Sequence, residues 1–174
     1  EKYLLAIKAI AQEMTKEGDT QYRLREFDIA IEKYKKAIKY SPNYTIAYFK
    51  LARTYFKIKD FSNTIIFLEK NLDIDPNQEQ SEKMLGDIFR SKGESEDAIN
   101  HYNKAIKIAN DYSKAHYSLG ATYYSIGRLK DAQKSLSNAI QYEHDYSKAY
   151  GALGAVEQDM GNYDSALKNF SKSI

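Results

Sequence analysis

The sequence predicts an all-α protein made of tandem helical hairpins, and three observations carry this prediction. The segment DYSKAH at 111–116 recurs as DYSKAY at 145–150, which is 34 residues later. The only two prolines, Pro42 and Pro76, are also 34 residues apart. Between these marks apolar residues recur every three or four positions, as they do on one face of an amphipathic helix. A period of this length is typical of repeat proteins, in which each unit buries its apolar face against its neighbours.

The glycines support the same period, because seven of the eight fall into two columns with this spacing. The first column is predicted to let neighbouring helices approach closely, so a larger residue at Gly120 should overpack the contact. The second column lies where one helix ends and the next begins, a place that favours a left-handed residue. The first column contains Gly18, Gly86, Gly120 and Gly154, with Ala52 in the remaining repeat, and the second contains Gly93, Gly127 and Gly161; Gly151 lies outside both.

Each period is predicted to contain two helices joined by a short corner. In the second repeat the first helix has an apolar face at Tyr48, Leu51 and Tyr55, the corner lies at 59–61, and Leu68 lies on the second helix. The chain, 1–174, is interpreted as a single array that begins with a helical extension over 1–10. Its repeats are 11–44, 45–78, 79–112, 113–146 and 147–174, of which the last lacks six residues of the full period.

The repeat pattern resembles that of the tetratricopeptide repeat family. On the first helix a leucine precedes the small residue and an aromatic residue follows three positions later, as at Leu119, Gly120 and Tyr123. On the second helix alanine, a large residue and alanine follow, as at Ala98, Tyr102 and Ala105. The resemblance covers residues 11–174 and implies a right-handed α-α superhelix of antiparallel helix hairpins, a TPR solenoid. In such a solenoid the first helices line a concave groove.

Several residues depart from the family pattern, among them Met14 and Glu17 of the first repeat, where an aromatic residue and leucine are usual. Thr64 and Asn71 replace alanines and are expected to loosen the contact between helices. Glu157 replaces the usual aromatic residue, and we expect it to face a missing neighbour.

Composition and motifs exclude several classes of function. The chain has no cysteine, which excludes disulfides, thiolate zinc sites and a cysteine nucleophile. Its three histidines do not form a motif with metal-ligand spacing, and no catalytic constellation is visible. No apolar run approaches the roughly 18 residues that a membrane helix needs. We therefore expect no enzymatic activity, no cofactor, no metal and no membrane insertion; the compartment stays open.

The positions that the family directs into the groove are rich in positive charge. Nine are basic and three, Asp19, Asp87 and Asp159, are acidic, although the whole chain carries only +2. Aromatic side chains, chiefly Phe49, Phe56, Tyr117 and Tyr124, accompany the charge and would suit apolar anchors of a partner. The candidate partner-binding residues are Tyr22, Arg23, Phe49, Lys50, Arg53, Phe56, Lys57, Lys83, Arg90, Lys114, Tyr117 and Tyr124.

These residues predict a protein-protein interaction scaffold that binds an acidic peptide or helix with apolar anchors. The resemblance does not extend to the subclass that clamps acidic chaperone tails, because the lysine and asparagine positions of that clamp are not reproduced in any repeat frame. One alternative is a structural segment of a longer solenoid in a multi-subunit assembly, with self-association or continuation through the ends. Another is that scattered lysines only keep the surface solvated. Nucleic acid is not the expected partner, because the lysines at 33–39 are interpreted as a solvated convex face.

Overall fold

The computed structural model describes residues 2–174, which form ten α-helices and no strand. The predicted all-α fold class is therefore confirmed. The helices are α1 Lys2–Arg23, α2 Phe27–Tyr40, α3 Thr45–Lys57, α4 Phe61–Ile74, α5 Glu79–Ser91, α6 Ser95–Ile108, α7 Ser113–Ser125, α8 Leu129–Tyr142, α9 Ser147–Asp159 and α10 Tyr163–Lys172. None of the helices within residues 2–174 has a stretch both long and apolar enough to cross a membrane.

The chain divides into two compact units, one ending at Ser81 and the other comprising Glu82–Ile174. Helix α5 begins in the first unit and continues into the second. Helix α1 begins at Lys2, and residue 1 of the expected extension over 1–10 lies outside the described residues. The other first helices begin at Thr45, Glu79, Ser113 and Ser147, which are 34 residues apart. That the chain acts as a single array stays a prediction.

Every hairpin turns through a residue with a left-handed backbone. The φ angles are +82° at Gly93, +76° at Gly127 and +82° at Gly161, where the sequence predicts such a corner. The equivalent residues of the first two hairpins are Arg25 and Lys59, and both have a φ angle of +64°. The corner geometry is thus common to all five hairpins, although two of them adopt it with a side chain that disfavours it.

In the first unit a tyrosine of α2 fills the space left by a glycine of α1. A Cβ atom added to Gly18 would lie 2.6 Å from Cε1 of Tyr34, a residue that is fully buried. Tyr34 belongs to a core cluster with Ile31 of the same helix and with Leu51 and Tyr55 of α3. The close approach of α1 and α2 therefore depends on the missing side chain at Gly18.

The second unit repeats this packing with a different large residue in each hairpin. An added Cβ atom would lie 2.6 Å from Tyr102 at Gly86, 2.7 Å from Leu136 at Gly120 and 2.8 Å from Phe170 at Gly154. Each pair joins the middle of a first helix to the second helix of the same hairpin. The glycine column is therefore a packing requirement, as the sequence predicts.

Two polar residues of α4 are fully buried and form hydrogen bonds. Thr64 is fully buried and its hydroxyl donates to the carbonyl of Asp60 at 2.7 Å. Asn71 is also fully buried, and its Nδ2 donates to Oγ of Ser81 at 2.8 Å. In the first repeat interface, the residues equivalent to Asn71 and Ser81 are Ala37 and Ala47, which pack in one cluster. Hydrogen bonds therefore satisfy the hydroxyl and the amide nitrogen, whereas the amide oxygen of Asn71 is buried without a partner among residues 2–174. That the two residues loosen the helix contact stays a prediction.

Glu157 of α9 is also not left facing an empty place. It is 7% exposed, and its carboxylate accepts hydrogen bonds from Gln133 at 2.8 Å and from Asn162 at 2.7 Å. The expectation of a missing neighbour was wrong, because two amide side chains of the same unit bind the carboxylate.

Candidate partner-binding surfaces

Seven of the candidate residues lie on the first helices of the first unit. Two of them end α1, and the other five follow α3 at spacings of three, four and seven, which place them along one side of a helix. We call this set the α1–α3 surface. It consists of Tyr22, Arg23, Phe49, Lys50, Arg53, Phe56 and Lys57.

Asp19 holds together two residues at the middle of this surface. One carboxylate oxygen accepts the hydroxyl of Tyr34 at 2.9 Å, and the other accepts Nζ of Lys50 at 2.5 Å. The Lys50 and Asp19 side chains are 23% and 29% exposed, so the ion pair is largely shielded from water. Burial, together with the hydrogen bond to Asp19, raises the pKa of Tyr34 far above its ordinary value. The charge of Lys50 is therefore already paired with a carboxylate of the protein itself.

Arg53 is placed differently, since it lies against an aromatic ring. Its guanidinium carbon is 4.6 Å from the centre of the Tyr22 ring, and Tyr22 itself meets Phe27 edge-on at 5.5 Å. Its Nε is buried and has no hydrogen-bond partner among residues 2–174. No carboxylate of the described residues forms an ion pair with it. The cation is held in place by packing and not by an opposite charge.

The remaining residues of the α1–α3 surface combine aromatic rings and exposed cations. Phe49 and Phe56 are half-buried, and the Phe56 ring lies 5.7 Å from the ring of Phe61. Lys57 and Arg23 are exposed, and Arg23 donates to Oγ1 of Thr20 at 3.4 Å. The surface thus offers partly covered rings next to water-exposed positive charge.

Five candidate residues belong to the second unit, and we call them the α5–α9 surface because their contacts extend to α9. They are Lys83 and Arg90 of α5 and Lys114, Tyr117 and Tyr124 of α7.

Asp87 repeats the arrangement seen at Asp19. It accepts the hydroxyl of Tyr102 at 2.9 Å and Nζ of Lys83 at 2.7 Å. Burial, with Asp87 as the next cause, raises the pKa of Tyr102 far above its ordinary value. Arg90 and Lys114 are exposed and form no ion pair within residues 2–174. Lys83, like Lys50, is therefore already neutralised by the protein.

The tyrosines of α7 are fixed by residues that lie beyond α8 in the chain. The rings of Tyr117 and Tyr146 lie 5.2 Å apart, and the hydroxyl of Tyr124 donates to Asp159 at 2.7 Å. Burial raises the pKa of Tyr146 to about 12. Tyr146 is not among the residues predicted from the sequence. The sequence feature that could have indicated it is the repeated DYSKA segment, in which a tyrosine directly precedes the first helix of each of the last two repeats.

The histidines of the described chain are held by neighbouring residues. Residues 2–174 contain no group of His, Cys, Asp or Glu side chains that could hold a metal ion. His101 lies 2.6 Å from a carboxylate oxygen of Glu82 and stacks on Phe89 at 5.1 Å. The Nε2 atom of His116 lies 2.8 Å from the carbonyl oxygen of Asn110. The ring of His116 also stacks on Tyr142 at 5.4 Å, so both rings are engaged in contacts within the protein.

Comparisons with known proteins agree with this description. A family model described as TPR repeat matches residues 18–59 and 86–127, and one described as tetratricopeptide repeat matches residues 46–78. No match is found among curated protein sequences.

Several solved structures share the fold. The crystal structure of MamA is 30% identical, with a TM-score of 0.79 over 90% of this chain and 91% of that chain. PilF of Pseudomonas aeruginosa is 13% identical, with a TM-score of 0.88 over 97% of this chain and 78% of that chain. YrrB, described as a TPR protein with an unusual peptide-binding site, is 17% identical, with a TM-score of 0.71 over 92% of this chain and 83% of that chain.

Proposed function

The chain belongs to the tetratricopeptide repeat family, and from this premise we propose how it acts as a protein-protein interaction scaffold. Its first-helix faces hold an extended or helical segment of a protein partner. The segment is acidic and carries a few apolar anchor residues. The fold is typical of scaffolds without catalytic activity, and we propose none for this chain.

The observation that carries the proposal is the presence of unpaired cations beside partly buried rings on the α1–α3 surface. Arg53 lies on the Tyr22 ring, and Lys57 is exposed one helical turn further along α3. Phe49 and Phe56 lie on the same helix and are half-buried. Aromatic and arginine side chains contribute most to binding energy at many protein interfaces. An acidic segment with apolar anchors matches this chemistry.

The surface is also fixed before a partner arrives. Tyr22 is held edge-on by Phe27, and Phe56 packs against Phe61. A ring already held in one place loses little conformational entropy when it binds. A preformed site of this kind supports a micromolar complex, equivalent to about −8 kcal/mol. The described peptide-binding site of YrrB, a protein of the same fold, is consistent with a peptide ligand here.

A peptide display selection tests the proposal. The parent chain is compared with a charge reversal of Arg53 and Lys57 to glutamate, and circular dichroism confirms that both are folded. The matched control reverses Lys36 and Lys39, two exposed lysines of the second helix α2. We expect acidic peptides to be enriched on the parent and the control but not on the reversed surface. Enrichment that survives the reversal of α3 would place the ligand elsewhere and contradict the proposal.

A second candidate function is assembly through the last hairpin. Tyr163 and Leu167 of α10 are 67% and 68% exposed, and they line a cavity of about 300 Å³ with Phe170. At the equivalent place on α8, Leu129 packs against a cluster that includes Leu153 of α9. Within the described residues no helix packs on this face of α10, whereas α9 covers the equivalent face of α8. Concentration-dependent sedimentation that Leu167→Glu abolishes would favour assembly, whereas a parent chain that stays monomeric would contradict it.

A further inference from the structure

The two units neutralise one lysine each in the same way. Asp19 binds Lys50 and the hydroxyl of Tyr34, and Asp87 binds Lys83 and the hydroxyl of a second tyrosine. In both cases the aspartate directly follows the glycine of the first helix, and the tyrosine is the large residue that packs on that glycine. The aspartate is therefore anchored to the core of its own hairpin. A lysine held by such an aspartate has its charge compensated and its side chain ordered.

Arg53 occupies the same place as these aspartates in its own repeat, one residue after Ala52. Its hairpin has Leu68 as the large residue of the second helix, which offers no hydroxyl to an acidic side chain. The arginine instead covers the Tyr22 ring, with its Nε buried and without a hydrogen-bond partner in the described chain. Burial and Asp19 raise the pKa of Tyr34, and the charge of Arg53 opposes this rise in part, so Arg53 lies near the Tyr34 hydroxyl. The Asp19 carboxylate, which accepts that hydroxyl, is already bound to Lys50.

We infer that Arg53 is the residue that binds a carboxylate of the partner segment, and that Lys50 beside it does not. This inference rests on the proposed function. A guanidinium is planar and presents its N–H groups as a fork that matches the two oxygens of a carboxylate. The contact with the Tyr22 ring orients the guanidinium plane before a partner binds. A glutamate or aspartate of the partner can then form an ion pair with a cation that has no carboxylate partner within the described chain. Lys50 would have to release Asp19 before it could bind a second anion.

The test compares two labelled synthetic peptides, one that repeats Glu-Glu-Leu and one that repeats Gln-Gln-Leu. Their affinities for the parent chain are measured by fluorescence anisotropy at several salt concentrations. The test variant is Arg53→Gln, with Arg53→Lys as the variant that keeps the charge but loses the fork. The matched control is the double variant Lys50→Gln with Asp19→Asn, which removes the ion pair without changing the net charge. Circular dichroism confirms the fold of each variant.

We expect Arg53→Gln to weaken binding of the glutamate peptide about tenfold, equivalent to roughly 1.4 kcal/mol, and to reduce its salt dependence. Arg53→Lys should recover only part of this loss, and the double variant should bind within about twofold of the parent. The Nε–H resonance of Arg53 should also shift when the glutamate peptide, but not the glutamine peptide, is added.

The outcomes separate the inference from the proposed function. If the parent binds both peptides equally well or not at all, the preference for an acidic partner is wrong and the inference fails with it. If the parent prefers the glutamate peptide but Arg53→Gln keeps that preference, only the inference is overturned. A double variant that loses as much affinity as Arg53→Gln would also overturn it, because Lys50 would then contribute to anion binding.

Discussion

Replacing Gly120 by alanine tests the closest helix contact of the fourth repeat. The added Cβ atom would lie 2.7 Å from Cγ of Leu136 and 3.1 Å from the backbone nitrogen of the same residue. Leu136 is fully buried, so neither atom can move away without displacing the core. Overpacking of this kind costs about 1–3 kcal/mol, whereas alanine in place of glycine inside a helix gains about 1 kcal/mol. We expect a net destabilisation of about 1 kcal/mol, which lowers Tm by roughly 3 °C at this chain length.

Gly151 supplies the matched control for this prediction. It also lies within a first helix, but its added Cβ atom would meet only the Ser173 side chain, at the ordinary contact distance of 3.6 Å. Gly151→Ala should therefore keep the helix-propensity gain and stabilise the protein by about 0.5–1 kcal/mol. Thermal and urea unfolding followed by circular dichroism measure both variants. If the two substitutions change stability in the same direction by similar amounts, the close approach of α7 and α8 is wrong and so is the repeat register.

Three further predictions follow from the backbone at Lys59, from the hydrogen bond between Asn71 and Ser81, and from the burial of Tyr146. Lys59→Gly should stabilise the chain by about 0.5–1 kcal/mol in urea unfolding, because relief of a left-handed backbone outweighs the added flexibility of glycine; a loss of stability would contradict this. Ser81→Ala should destabilise by about 1–3 kcal/mol, since it leaves the buried amide nitrogen of Asn71 without its acceptor, while a double change of Asn71 and Ser81 to alanine should cost less than the single one. Tyr146 favours its neutral form in the folded state, so its contribution to stability is complete below its unfolded pKa of 10.0 and is lost as the pH rises towards about 12. Tyr146→Phe should therefore unfold with a shallower loss of stability over that interval, and an unchanged profile would contradict the assignment.

The sequence predicts the hairpins and their corners because both follow from local rules. A glycine column marks three corners, and the structure has a left-handed residue at each of them. Arg25 and Lys59 adopt the same backbone without glycine, and only their position in the period could have indicated it. The packing of each hairpin requires a left-handed residue at this corner. The position in the 34-residue period therefore predicts the backbone conformation better than the residue type does.

The charge of the candidate surfaces is only partly readable from the sequence. A count of the groove-facing positions includes Lys50 as a cation that a ligand could bind. In the structure its Nζ donates to Asp19, a residue 31 positions earlier in the chain. Which lysine reaches which carboxylate depends on rotamers and on the spacing of adjacent helices, and a sequence does not specify either. A signal was nonetheless present. Aspartate follows the small residue of the first helix in the two repeats in which the large residue packed on that position is a tyrosine, Tyr34 or Tyr102, and in none of the other three.

The hydrogen bond between Asn71 and Ser81 has a consequence for how similar hairpins find their correct neighbours. Alanines occupy the equivalent places in the other repeat interfaces, at 37 and 47, 105 and 115, and 139 and 149. A chain of near-identical hairpins can dock in a shifted order while it folds, because several pairings bury similar apolar surface. Any order that places Asn71 against an alanine would bury its amide nitrogen without an acceptor. This hydrogen bond therefore favours the correct docking of α4 and α5 over a shifted order. We expect the double alanine variant to form more domain-swapped or misordered chains than the parent when it refolds. Size-exclusion chromatography after dilution from urea would detect them.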